Sequence, residues 1–346
     1  MPVINFTSPA RRALTGILSA GFAVIACCAL AAAPASAQSV DSLTAALAST
    51  DVLARGSAVE ALSQMPVTAI PFATRDALIA LLEREATGAQ PVDSVRANEA
   101  DEAWGEYIIG LADLVRTLGD SRALRGLALL GIQTSRATQE FVAGFGAQAL
   151  PQLDEAWTTK PDARPSVVTT WALIANTADS TTRIAVLHRL FAPDDTFPIA
   201  LADAAVAGKL VVMVPFLDSL GQSDTVLPIA QGAASEAAEK LRPAFTALSA
   251  DQLLAQYNAI LDGICLNSTG ALNGYCESST NGLDNSTKHL LKDSGSHVHQ
   301  GAADQARQEI QTVIDRTLNA VANEVLTPAQ GILLVSGLRQ VIARIS

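Results

Sequence analysis

Apolar residues recur every three or four positions along most of the chain, the spacing that buries one face of a helix. Shorter stretches of this kind follow one another, separated by Gly, Pro, Asp and Ser, and β-branched residues are not gathered into alternating runs. The clearest stretch consists of Trp104, Ile108, Leu111, Val115 and Leu118. The pattern predicts an all-α protein with no sheet.

Glycines, prolines and capping residues indicate where helices begin and end. Between Phe197 and Leu248 we expect breaks at Gly208, Gly221 and Pro243. Near the C-terminus, Thr327-Pro328-Ala329-Gln330 places an N-cap residue, a first-turn proline and a glutamine at the third position, which together predict a capping box.

The stretch from Ile264 to about Gln300 differs, since turn-forming Asn, Gly and Ser residues are frequent in it. We expect a disulfide-closed loop, one short helix around Asp284–Lys292 and a second loop. Two amphipathic helices then close the chain.

The first residues have the order of a bacterial signal peptide. Arg11 and Arg12 precede an apolar stretch, and Ala35-Ser36-Ala37 fits a signal-peptidase site, so we expect cleavage before Gln38. A membrane anchor is the rival interpretation. Lipid attachment at Cys27 is another, because the residues before this cysteine loosely match a lipobox.

The net negative charge of the chain argues against a nucleic-acid partner. Without residues 1–37 the chain has 21 basic and 34 acidic residues, a net charge of −13. Nucleic-acid binding requires a basic surface, so we expect no nucleic-acid partner. We expect no membrane span after cleavage either. The two cysteines left, Cys265 and Cys276, are expected to form a disulfide outside the cytoplasm.

From Val40 to about Leu190 the helices resemble HEAT repeats. The resemblance is carried by the helix-turn-helix Leu43–Arg55, and in that family an Asp in the turn and an Arg early in the next helix tie neighbouring repeats together. Asp51 and Arg55 have this spacing, as do Asp179 and Arg183, and Asp120 with Arg122 is a tighter variant. The resemblance implies an α-α superhelix, that is, a HEAT-like solenoid.

The C-terminal part, Tyr275 to Ile345, resembles small helical modules of secreted bacterial proteins. The expected domains are therefore a signal peptide over 1–37, a helical-repeat domain over 38–263, and a disulfide loop with a helical module over 264–346.

Motifs that carry chemistry are scarce. The chain has no G-x-S-x-G, H-E-x-x-H, C-x-x-C or Walker loop. His289, His297 and His299 lie close in sequence and are weak candidates for a zinc site, whereas His188 is expected to be a surface or partly buried helix residue. We expect neither a cofactor nor a catalytic residue.

The resulting hypothesis is an extracytoplasmic, periplasmic or secreted, helical-repeat scaffold that binds a protein partner and is not an enzyme. Two alternatives stay open at this point. One is a metal-dependent hydrolase that uses the His289–His299 region, and the other is a structural envelope-associated module without a discrete ligand.

Overall fold

A computed structural model describes residues 39–88, 97–131, 134–191, 198–224, 226–277 and 286–345, with the side chains of 97–103 and 198–199 excepted. The expected signal peptide lies outside these ranges. Within them the regular structure is helical and no strand occurs, so the all-α prediction is confirmed for this part of the chain.

The described ranges contain seventeen α-helices, several of them introduced by a single 3-10 turn. They are α1 Val40–Ala46, α2 Val52–Ser63, α3 Phe72–Thr87, α4 Ala97–Leu118, α5 Leu124–Leu130, α6 Arg136–Ala143, α7 Leu150–Thr159, α8 Arg164–Thr177, α9 Ser180–Leu190, α10 Pro198–Ala207, α11 Val214–Gly221, α12 Pro228–Thr246, α13 Ala250–Ile264, α14 Gly270–Glu277, α15 Thr287–His299, α16 Ala303–Ala322 and α17 Pro328–Arg344.

Side-chain caps explain why several helices begin where they do. Asp51 and Asp179 accept hydrogen bonds from backbone N–H groups in the first turns of α2 and α9. The predicted capping box is present: the Thr327 hydroxyl accepts from the Gln330 N–H at 3.2 Å, and the Gln330 side chain accepts from the Thr327 N–H at 3.0 Å. A second capping box, at Ser249 and Gln252, opens α13.

Helix packing follows two series. Each member of α2, α4, α6, α8, α10 and α12 contacts the next, and so does each member of α1, α3, α5 and α7. The series are joined by contacts between consecutive helices such as α1 with α2 and α3 with α4. The faces turned toward each other are apolar, and Leu62, Ile108 and Leu127 among them are almost fully buried.

The last helices pack on the preceding ones. Helix α13 contacts α9, α15 and α17, and α17 also contacts α11. Tyr257 of α13 is fully buried and donates a hydrogen bond to the Val212 carbonyl at 2.7 Å. The expected domain boundary at residue 264 coincides with the end of α13, and a division into two domains there stays a prediction.

Two local expectations are wrong. Pro243 does not break the helix; it lies inside α12, near the C-terminal end, where few backbone bonds are lost. The loops expected between Ile264 and Gln300 are largely replaced by α14 and by α15, which continues to His299. Leu291 and Ser294 of α15 are buried, so tertiary packing outweighs the turn-forming composition of that stretch.

Candidate functional site

A groove runs between α2 and α4 on the N-terminal part of the protein, with a volume of about 420 Å³. Gly56 and Gly110 lie on its floor. A Cβ atom at Gly56 would come within 3.8 Å of Tyr107, and one at Gly110 within 3.7 Å of Val59. Both are ordinary van der Waals distances, so a methyl group at either position would narrow the groove without a clash.

The rim of the groove combines apolar and acidic groups. Leu53 is 67% exposed, a large fraction for a leucine, and it lines the groove beside Val52. Glu60 of α2 and Glu106 of α4 lie on the same groove and are exposed. Neither carboxylate forms an ion pair within the described part of the chain. The surface suits apolar side chains that are accompanied by positive charge.

Behind the groove, Tyr107 and Arg55 form a buried polar cluster. The Arg55 Nε–H donates to the Tyr107 hydroxyl oxygen at 3.2 Å, and Arg55 Nη2 lies 3.3 Å from Glu85 Oε1 of α3. The Arg55 guanidinium also lies over the Tyr107 ring, 5.3 Å from its centroid. Burial raises the pKa of Tyr107 to about 12, and the hydrogen bond from Arg55 offsets part of this effect.

This cluster differs from the Asp–Arg pairing that the HEAT resemblance implies. Asp51 caps α2 by accepting from the Leu53 N–H at 3.0 Å. Arg55 instead donates to the backbone carbonyls of Ser49 and Thr50, at 2.9 and 3.1 Å. Arg55 thereby joins the turn after α1 to Glu85 and Tyr107, on α3 and α4. Arg55 therefore connects neighbouring helix pairs, but through these groups and not through the Asp51 side chain that the HEAT resemblance implies.

Of the other two proposed Asp–Arg pairs, Asp120 with Arg122 is present as an ion pair, whereas Asp179 and Arg183 form none. Asp120 pairs with Arg122, whose guanidinium also reaches Asp76 of α3 at 2.9 Å, and the hydrogen bonds from Arg122 lower the pKa of Asp120. Asp179 accepts from Thr182, whose hydrogen bonds lower the pKa of Asp179. Arg183 meets Asp179 only through the backbone, where its N–H donates to the Asp179 carbonyl at 2.8 Å, and its buried Nε has no hydrogen-bond partner among the described residues.

Similar ion pairs continue along successive helices. Arg125 of α5 binds both Glu83 of α3 and Glu155 of α7. Arg189 of α9 binds Asp154 of α7 at 2.6 Å. These contacts connect α3, α5, α7 and α9 in order.

The three candidate zinc residues are on one helix, α15, and two of them contact separate carboxylates. His289 Nε2 lies 2.9 Å from Asp293, and His297 Nδ1 lies 2.8 Å from Glu309 of α16. His299 is exposed at the end of α15, and residues two apart on a helix point to different sides. Within the described ranges no group of three or more His, Cys, Asp or Glu residues is close enough to hold a metal ion.

Cys265 and Cys276 are joined by a disulfide, as predicted. Cys265 follows the last residue of α13, and Cys276 belongs to α14. The bond is not in a surface loop as expected, because only 6% of Cys265 and 0% of Cys276 is exposed. It fastens a short helix to the core.

The groove itself was not predicted from the sequence. The only signals for it in the sequence are two glycines within helical stretches, Gly56 and Gly110, which line the groove. Comparison of the chain with protein-family models, curated proteins and solved structures finds no match. In the described part of the chain no helix is both long and apolar enough to cross a membrane.

Proposed function

We propose that this chain is an exported α-solenoid that binds a protein partner, and that the α2–α4 groove receives an apolar, basic segment of that partner. The observation that carries the proposal is that the exposed Leu53 shares the groove with two carboxylates, Glu60 and Glu106, which form no ion pair with any residue that the structure describes. A partner side chain in the groove buries Leu53, and a lysine or arginine next to it neutralises the acidic rim.

The arrangement of helices supports the proposal. Two series of helices, each contacting its neighbours in order, are typical of stacked repeats, and such arrays usually act by presenting an extended surface to a partner. The net charge of the chain is −11, which favours encounter with basic proteins.

Export is the second part of the proposal. The signal-like residues 1–37 and the Cys265–Cys276 disulfide both suit an oxidising compartment outside the cytoplasm. We therefore expect the mature protein to begin at Gln38. N-terminal sequencing of exported material tests this, and a lipid-modified N-terminus at Cys27 would contradict the soluble form.

Photocrosslinking in the producing cells tests the binding proposal. A photoreactive phenylalanine analogue at position 53 should give a discrete adduct with one protein, which mass spectrometry identifies. Position 229 is the matched control, since Ile229 of α12 is also an exposed apolar residue, at 70%. We expect no such adduct from position 229.

Charge reversal links that adduct to the chemistry of the groove. Glu60→Lys combined with Glu106→Lys should abolish the adduct from position 53, because both rim carboxylates then repel a basic segment. Glu236→Lys with Glu239→Lys on α12 is the control pair. Equal adducts from positions 53 and 229 would reject the proposal and favour a passive structural role. An adduct from position 53 that reversal at the groove leaves unaffected would reject a basic segment as the occupant.

A further inference from the structure

A second, larger cavity lies at the other end of the described chain, with a volume of about 690 Å³. It is bordered by the end of α9, by α13 and α14, and by the turn between α16 and α17. Its walls are mainly apolar and consist of Phe191, Ile264, Leu272, Val321, Val325 and Leu326. The volume and the apolar lining are typical of sites for small molecules.

His188 is the polar side chain on the α9 side of this cavity. Its Nδ1 lies 2.9 Å from the Gly263 carbonyl oxygen. A carbonyl only accepts hydrogen bonds, so Nδ1 carries the hydrogen and donates it. In the neutral imidazole Nε2 is then an acceptor, and it is the ring nitrogen left to meet a ligand.

The turn between α16 and α17 contributes the other polar groups. The Gln330 side chain already forms hydrogen bonds within the protein: its oxygen accepts from the Thr327 N–H, and its Nε2 donates to the Phe191 carbonyl at 2.7 Å. Thr327 keeps one hydroxyl hydrogen to donate. Glu324 is exposed and forms no ion pair among the described residues. The strongest groups offered to a ligand are therefore two acceptors, His188 Nε2 and the Glu324 carboxylate.

We infer that this cavity, which we name the α9–α17 cleft, binds a small amphipathic molecule with an aliphatic tail and a protonated amine head. The tail packs on the apolar walls and replaces water there. The ammonium group donates hydrogen bonds to His188 Nε2 and balances the charge of Glu324. This site is separate from the α2–α4 groove and does not depend on the proposed partner binding.

Isothermal titration with octylamine tests the inference, with octanol and octanoate as probes of equal chain length. We expect octylamine to bind saturably at a single site. Octanol should bind more weakly, and octanoate at least about tenfold more weakly, because a carboxylate is repelled by Glu324 and donates no hydrogen bond to His188. Absence of saturable octylamine binding, or equal affinity for octylamine and octanoate, would overturn the inference.

Variants then place the binding in the cleft. Glu324→Gln should weaken octylamine binding by roughly fivefold, the effect typical of one exposed charge, and should leave octanol binding unchanged. Val325→Trp fills the cavity and should abolish binding of both. Glu60→Gln in the α2–α4 groove is the control and should change neither affinity. Octylamine affinity that is unaltered by Glu324→Gln would contradict the assigned site even if Val325→Trp does not fold.

Discussion

A guanidinium group that is 8% exposed needs its partners, and Arg55 has them on three sides: Glu85, Tyr107 and two backbone carbonyls. Glu85 itself is only 12% exposed. Breaking such a pair from one side leaves a buried charge without compensation, which costs more than the pair contributes. At the residue scale this cluster is therefore sensitive to the loss of any one member.

We expect Arg55→Ala to lower the free energy of unfolding by about 3 kcal/mol, because the buried Glu85 then keeps only the exposed Arg84 as a countercharge and Tyr107 loses a hydrogen-bond donor. Arg84→Ala is the matched control: Arg84 lies at the same 3.3 Å from Glu85 but is 54% exposed, so its removal should cost less than about 1 kcal/mol. Urea denaturation measures both. Equal losses for the two variants would show that burial of Arg55 is not the cause.

The chain has three tyrosines, and burial raises the pKa of each: to about 12 for Tyr107 and Tyr275, and above its ordinary value for Tyr257. Unfolded tyrosine ionises near pH 10. Their contribution to stability is thus complete below about pH 10 and is lost as the pH rises towards 12. Phenolate absorbance should show no step near pH 10 in the folded protein and a full step there in concentrated guanidinium. A partial step near pH 10 without unfolding would contradict this.

The residue pattern predicts helix caps, but it does not predict which side chains meet across packed helices. The Thr327–Gln330 capping box could be predicted because all its members lie within four positions of one another. The partners of Arg55 could not, since Tyr107 and Glu85 are distant in sequence and become neighbours only when α2, α3 and α4 pack. The α2–α4 groove was missed for the same reason.

At the scale of elements, the contact between α13 and α17 depends on one glycine. A Cβ atom at Gly337 of α17 would lie 1.9 Å from Cζ of Tyr257, which is fully buried. The helices can approach this closely only because position 337 has no side chain. Sequence pattern alone identified α17 and its apolar face, but nothing local to Gly337 indicates the approach of Tyr257.

Gly337→Ala should therefore destabilise the protein by roughly 1 to 3 kcal/mol, since Tyr257 must move away from the Val212 carbonyl. Gly232→Ala in α12 is the matched change, because nothing lies within 4 Å of its new Cβ. It should stabilise by about 0.5 to 1 kcal/mol through helix propensity. Thermal unfolding of both variants checks the contrast, and effects of the same sign would refute it.

Replacing both Cys265 and Cys276 with alanine should lower the free energy of unfolding by about 3 kcal/mol, because the bond between positions 11 apart in sequence no longer restricts the unfolded chain. Hydrogen exchange should accelerate first in α14, which the bond fastens to the end of α13. Unchanged exchange in α14 would show that packing alone holds this helix.

The whole molecule combines local and distant contacts. The order of the helices, and hence the all-α class, could be predicted from the spacing of apolar residues, because that spacing is local to each helix. The positions of the last helices could not be predicted in this way, since α17 packs against α11 and α13, which precede it in the chain. No periodic signal encodes which earlier faces a later helix covers.

We expect a chain that ends at residue 263 to lose cooperative unfolding, because Leu253, Leu254 and Tyr257 of α13 would lose the apolar neighbours that α15 and α17 provide. Circular dichroism during urea denaturation measures the cooperativity. A truncated chain with a sharp transition would instead show that residues 38–263 are an autonomous domain.

The buried position of the disulfide has a consequence for the order of events during maturation. Once α14 is seated, Cys276 has no exposed surface, so an oxidising enzyme can reach its thiol only before the helix docks or when it transiently undocks. Bond formation therefore requires an undocked α14, either before the helix first docks or during a later opening. If oxidant arrives after α14 has docked, the rate of oxidation is limited by how often this helix undocks.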